Sequence, residues 1–134
     1  MTIARQIITS PRVTPMRSGV NHAVKAGGLV YVTGATPFRG AERMSAEIDR
    51  GDFPAQMHQV MRNVVAILEE AGSSLDRALR MGVAMTDMGR YAEMDAIFKT
   101  YFIPGNYPAR QTIESPHLSH PDFLIQIDCI ALVD

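Results

Sequence analysis

The sequence predicts a single α/β (α+β) domain, a mixed β-sheet with two helices on one face, in the order β-β-α-β-α-β-β. Three observations lead there. Short β-branched runs bounded by Gly and Pro alternate with two segments of helical period. No linker, internal repeat or low-complexity tract divides residues 1–134. With 134 residues, 46% hydrophobic and 20% charged, the chain can bury about two-thirds of its unfolded surface around one core.

The elements follow in order. Ile3 to Thr9 is short and β-branched, and Pro11 and Pro15 interrupt what comes after. Leu29-Val30-Tyr31-Val32-Thr33 is the strongest strand signal, preceded by the turn-forming Gly27-Gly28 and ended near Gly34 and Pro37. From about Phe53 to Ala71 the apolar residues Met57, Val60, Met61, Val64, Ile67 and Leu68 recur at spacings of three and four, one stripe of a helix. Asp52 stands at its N-cap position and Gly72 where a left-handed residue ends it. Ala78 to Thr86 reads as a strand. Asp87 or Gly89 opens a second helix with Tyr91, Met94, Ile97, Phe98 and Tyr101 on its apolar side, stopped by Ile103-Pro104-Gly105-Asn106. Two strands close the chain, near Arg110–Glu114 and Leu124–Val133. Helices on one face leave the other face bare, and self-association is a natural way to cover it.

Composition excludes several classes. A net charge of −1 gives no general electrostatic grip on nucleic acid, which needs a clustered positive face. Cys129 is the sole cysteine, so no intrachain disulfide framework exists and a reducing, cytoplasmic setting is expected. Met1 to Gln6 carries no apolar run of signal-peptide length, and no stretch approaches the ~18 apolar residues of a membrane span.

Three places carry candidate chemistry, each with a plain alternative. Arg110 follows Pro108-Ala109 into a strand; its planar fork matches a carboxylate through two parallel hydrogen bonds, or else it forms a structural salt bridge. Thr33 and Gly34 offer a hydroxyl and an unhindered N–H to a ligand oxygen, or mark an ordinary strand end. Gln126 and Asp128 alternate with apolar neighbours, so they share a face and line a cleft or pair across an interface. The histidines give no convincing zinc set: His117 and His120 flank Leu118-Ser119 in a proline-bounded loop, and His58 near the start of the first helix is solvated or capping. Cys129 reads as a small core residue without a histidine partner.

Taken together, Gly28-Leu29-Val30-Tyr31-Val32-Thr33-Gly34, the run from Asn63 to Gly72 with Ser73-Ser74-Leu75-Asp76, Pro108-Ala109-Arg110, and Ile125-Gln126-Ile127-Asp128-Cys129-Ile130-Ala131 resemble the reactive-intermediate-deaminase family (Rid, YjgF-like or L-PSP-like). The resemblance spans roughly residues 18–133. It implies a chorismate-mutase-like fold and a homotrimer with ligand clefts between subunits. It further implies hydrolysis of amino-acid-derived imines or enamines without metal or organic cofactor. On this resemblance Arg110 holds the substrate carboxylate, and Thr33 takes the place of the family's Ser or Thr before the strand-end glycine. Four positions depart from the pattern. The glutamate that holds or activates water falls at Gln126, the Gly-Pro-Tyr tyrosine at Val20, the cysteine after the arginine at Thr112, and the second-helix asparagine at Asp95. His22 and Asp95 are the residues expected to compensate for the missing carboxylate.

The leading expectation is therefore an imine or enamine hydrolase acting on a small carboxylate, with Arg110 and Gln126 catalytic. Thr33, Gly34, Val20, Asp95, Thr112 and His22 are expected around the substrate. Two other classes stay open: a non-catalytic carboxylate-binding or regulatory trimer, and another hydrolytic or isomerising step on a small carboxylate. Ribonuclease activity, an old label for some members, finds no basic stripe in this sequence.

Overall fold

The computed structural model describes residues 3–134. In chain order the elements are β1 (Gln6–Ile8), β2 (Ala23–Ala26), β3 (Leu29–Ala35), α1 (Phe53–Glu70), β4 (Ala78–Met85), α2 (Tyr91–Lys99), β5 (Ala109–Glu114) and β6 (Ile125–Leu132). The strands form one sheet in the order β1-β2-β3-β6-β4-β5, with β4 and β5 parallel and every other neighbouring pair antiparallel. The expected class holds: a mixed sheet with two helices on one face.

One strand more is present than the β-β-α-β-α-β-β order allows. Ala23–Ala26 pairs with β3 through Ala26↔Leu29, closed by Gly27 and Gly28 at φ 60° and 81°. Two consecutive left-handed residues are what a tight two-residue hairpin requires, so Gly27-Gly28 is a hairpin turn and not simply the lead-in to β3. The first strand is correspondingly shorter than Ile3–Thr9.

Both ends of α1 follow from its sequence. The Asp52 carboxylate accepts the Ala55 N–H at 3.1 Å, and Gly72 takes φ +84° immediately beyond the last turn. Met57, Val60, Met61, Val64, Ile67 and Leu68 lie fully buried between this helix and the sheet. Burial of each such side chain contributes about 1.5–3 kcal/mol, so this stripe anchors the helix layer. On α2 only Met94 and Phe98 are buried; Tyr91, at the start of the same side, stays open to solvent.

Alternation in the sheet is clean. Met81, Val83 and Met85 of β4 and Ile125, Ile127 and Cys129 of β6 face the helices and are buried. Arg80, Gly82, Ala84, Gln126, Asp128 and Ile130 face the other way, toward the side no helix covers. Gly82 is tied to that arrangement, because a Cβ there would lie 2.7 Å from the Asp128 carboxylate, which accepts the Gly82 N–H. Burial, with Asp128 next in the chain, pushes the Cys129 thiol up to about 12, so it is inert core rather than a nucleophile.

Candidate functional site

Arg110 enters the site from β5. The register Met81↔Arg110 and Val83↔Thr112 places both β5 side chains on the helix side of the sheet, since Met81 and Val83 are core residues. There α2 builds a socket around the guanidinium. Its carbon lies 4.7 Å from the centre of the Phe98 ring and 5.5 Å from that of Tyr91. Nη2 donates to the Tyr91 hydroxyl at 2.7 Å, and Nη1 lies 2.9 Å from the Asp95 carboxylate. Tyr91, Asp95 and Phe98 stand at i, i+4 and i+7, one face of a helix, so a single element supplies all three contacts.

This guanidinium is partly shielded, with 17% of its side chain exposed, and it borders a cavity of about 460 Å³ lined also by Lys99, Tyr107 and Thr112. The salt-bridge reading of Arg110 is met by Asp95, and the guanidinium also has further N–H donors beside an open cavity. The Lys99 ammonium, 3.0 Å away, and after it Arg110 hold the Asp95 carboxyl below the ordinary carboxylate range, against a desolvation that pushes upward. Asp95 therefore stays ionised through neutral pH. Its pairing is lost only as pH falls through that depressed value.

The second group lies across the sheet. Between Val32 and Ala35 the pairing of β3 with β6 shifts register, a bulge that takes Thr33 and Gly34 out of the ladder with β6. The strand thus runs on to Ala35 instead of ending at Thr33-Gly34. Thr33, Gly34, Val20 and Gln126 line a cavity of about 370 Å³, walled by Phe38 and Phe123, whose rings meet edge to face with centres 5.1 Å apart. The Gln126 amide donates to the Ser119 hydroxyl at 3.3 Å. Gly34 and Gln126 also border a smaller cavity of about 230 Å³ on the helix-free face, beside Arg80, Gln111 and Asp128.

Arg110 and Gln126 do not meet within one chain. Gln126 pairs with Ala84, which pairs with Ile113, so its side chain leaves the face opposite to Arg110 and Thr112. Asp95 and Thr112 join the Arg110 cavity; Thr33, Gly34 and Val20 join that of Gln126.

His22 corrects an expectation. It is 2% exposed, its Nδ1 accepts the Ser10 N–H at 2.9 Å and its Nε2 donates to the Thr14 carbonyl at 2.9 Å, so both nitrogens are spent on fixing the N-terminal segment. It borders neither cavity. His58 is half-buried and does not cap the helix, whose cap is Asp52; its Nδ1 lies 2.6 Å from the Tyr101 hydroxyl. Among the described residues no group of three His, Cys, Asp or Glu side chains is placed to hold a metal ion. Among the described residues no helix is long and apolar enough to cross a membrane. The sequence reading missed Tyr91 and Phe98 as the walls of the arginine socket, although their helical spacing with Asp95 carries that signal.

Comparison with known proteins agrees with this architecture. The family model described as Endoribonuclease L-PSP matches residues 12–133. A RutC family protein of Pyrococcus horikoshii is 36% identical over 111 residues, covering 83% of this chain and 84% of that protein. RidA from an Antarctic Psychrobacter superposes with a TM-score of 0.86 at 29% identity, over 96% of this chain and 99% of the other. The Escherichia coli protein TdcF with bound serine gives 0.85 at 26%, over 96% and 99%.

The Asp95 contact yields a direct expectation. Asp95→Asn keeps the shape but removes the counter-ion, so binding of 2-oxobutanoate at pH 7, measured by calorimetry, should tighten about 1.5- to 5-fold, the scale of one partly exposed ion pair. Weaker binding would show that Asp95 serves chiefly to orient the guanidinium.

Proposed function

Because the chain belongs to the Endoribonuclease L-PSP family, also called the Rid or YjgF-like family, we propose that it hydrolyses a small carboxylate-bearing imine or enamine in clefts between the subunits of a homotrimer. In this reading residues 1–134 act as one domain in the cytoplasm. The observation that carries it is the half-shielded Arg110 guanidinium, held by Phe98, Tyr91 and Asp95 with donors left over beside an open cavity. Proteins of this family are generally trimeric and bind small molecules, and TdcF, with its bound serine, holds a small amino acid.

The division of the site supports the assembly. Arg110 and Thr112 face one side of the sheet while Gln126 faces the other, so a cleft that uses all of them needs two copies of the chain. Leu132, Tyr31 and Ile113 stay exposed on the helix-free face, an apolar surface suited to burial against another subunit.

Arg110 binds the carboxylate, and the Thr33 hydroxyl with the Gly34 N–H orients the reacting end. Water, positioned by the Gln126 amide, adds to the carbon of the C=N bond and gives a carbinolamine. That intermediate collapses with cleavage of the C–N bond, releasing a 2-oxo acid and ammonia, and no other reactant is consumed. An iminium carbon is already electrophilic, so positioning and electrostatics do most of the work. Gln126 favours a second reading, a carboxylate-binding or regulatory trimer, because an amide orients water without accepting its proton. Endoribonuclease activity is not proposed, given the net charge of −1 and the many arginines already paired with carboxylates.

Sedimentation equilibrium at micromolar concentration should give three times the 14.8 kDa chain mass, and a monomer would sink the shared cleft. Arg110→Ala should weaken 2-oxo-acid binding by about 2–4 kcal/mol while the assembly stays intact; equal affinity in both proteins would make the arginine purely structural. The wild type should turn over freshly generated 2-iminobutanoate slowly, and Gln126→Glu should raise that rate by a factor within the ~10²–10⁴ expected of a positioned base. Fast wild-type turnover with a slower Gln126→Glu variant would place water activation elsewhere. Binding without turnover in either protein would favour the regulatory reading.

A further inference from the structure

We infer that the cavity at the β3 bulge is a second anion subsite, so that the molecule bound here carries a second carboxylate besides the one held by Arg110. The inference rests on the shared cleft proposed above, of which this cavity forms the half opposite Arg110.

Two guanidinium groups carry it. Arg17, from the segment before β2, and Arg43, at the head of the short 3-10 turn Arg43–Ser45, reach the same cavity from separate loops. Each shows one hydrogen bond, to a backbone carbonyl: Arg17 Nη2 to Ser119 at 3.3 Å, and Arg43 Nη1 to Pro15 at 3.2 Å. A guanidinium has five N–H donors, so most of those on both side chains remain for a ligand or water. Neither arginine stands within ion-pair distance of a carboxylate among the described residues, whereas Arg12, Arg39, Arg77, Arg80 and Arg110 each do.

Among the described residues no aspartate or glutamate lines this cavity. Both side chains are exposed at the rim of this cavity, so they are free to turn toward an anion in it, and two like charges beside one space favour such an anion. The Arg110 cavity differs, because Asp95 there answers both Arg110 and Lys99. The remaining surface also suits a two-ended molecule. Thr33, Gly34 and Gln126 are polar but neutral, and Phe38 with Phe123 forms an apolar wall against which a short carbon spacer packs. The preferred ligand class is thus a 2-oxo or 2-imino diacid rather than a monoacid of equal length.

The two arginines also tether loops, and the test separates that role from ligand binding. Calorimetry compares 2-oxohexanoate with 2-oxohexanedioate, which share a chain length and differ in the second carboxylate. For the wild type at low salt the diacid should bind about tenfold more tightly, and the ratio should shrink as salt rises. In Arg17→Gln/Arg43→Gln the ratio should fall to about one, while Arg17→Lys/Arg43→Lys, which keeps the charge, should retain most of it. A wild-type ratio near one, or a ratio that survives the glutamine variant, overturns the inference and leaves the Arg110 reading intact. If Arg110→Ala binds both oxo acids as the wild type does, the carboxylate clamp fails and this inference fails with it.

Discussion

Successive side chains of a strand leave opposite faces of the sheet, and β5, β4 and β6 run side by side in continuous pairing from Arg110 through Met81 to Cys129 and from Ile113 through Ala84 to Gln126. No rotamer change can therefore bring Arg110 and Gln126 to one cavity within a single subunit. Only a one-residue slip would do it: in β6 it would turn Ile125, Ile127 and Cys129 out of the core and drive Gln126 and Asp128 into it, and in β5 it would exchange Arg110 and Thr112 for Gln111 and Ile113 on the helix side. The fully buried apolar stripe of α1 holds the sheet against such a slip. The same alternation that stabilises the fold thus divides the candidate site between the two sides of the sheet, and in the proposed assembly the helix-free side is where a second subunit would complete it.

Within that frame the state of Arg110 is a compromise. Stacking on Phe98 and the Tyr91 hydroxyl fix the guanidinium plane before any ligand arrives, which reduces the entropy lost on binding. Asp95 works in both directions. It helps hold the side chain in a partly desolvated place, and it occupies one edge of the fork that a bidentate carboxylate would use. Lys99 moderates the competition by sharing the Asp95 carboxylate, so the socket keeps a net positive charge instead of closing into an isolated ion pair.

Much of this was legible in the sequence, for definable reasons. The Asp52 cap, the α1 stripe and the placement of Gln126 with Asp128 are local patterns with one geometric solution each. β2 was not, because Ala23-Val24-Lys25-Ala26 is four residues of mixed character, and only the Gly27-Gly28 turn betrays the hairpin. His22 misled because a buried histidine with two backbone partners cannot be told from a ligand-facing one without the fold. The Thr33-Gly34 bulge depends on a register shift against β6, a strand nearly a hundred residues away in the chain. Arg17 and Arg43 lie in loops with no periodicity, and only the folding of both loops over β3 shows that they share a cavity.

Gln126 links the two proposed roles of the site. It lines the cavity of Arg17 and Arg43, and as an amide it adds no charge there. A glutamate in its place would supply a base for the attacking water and, by the same change, a counter-ion for the two guanidinium groups. Better proton transfer would then come at the expense of affinity for a second ligand carboxylate, since the new charge competes for the same donors. A site with an amide at this position keeps its positive field for a dianionic ligand, and in the proposed hydrolysis it leaves the proton of the attacking water to the imine nitrogen or to solvent. If the proposed hydrolysis and second anion subsite both hold, turnover and anion selectivity are coupled at this position, and a change in rate at residue 126 is to be read beside the diacid-to-monoacid ratio of the same protein.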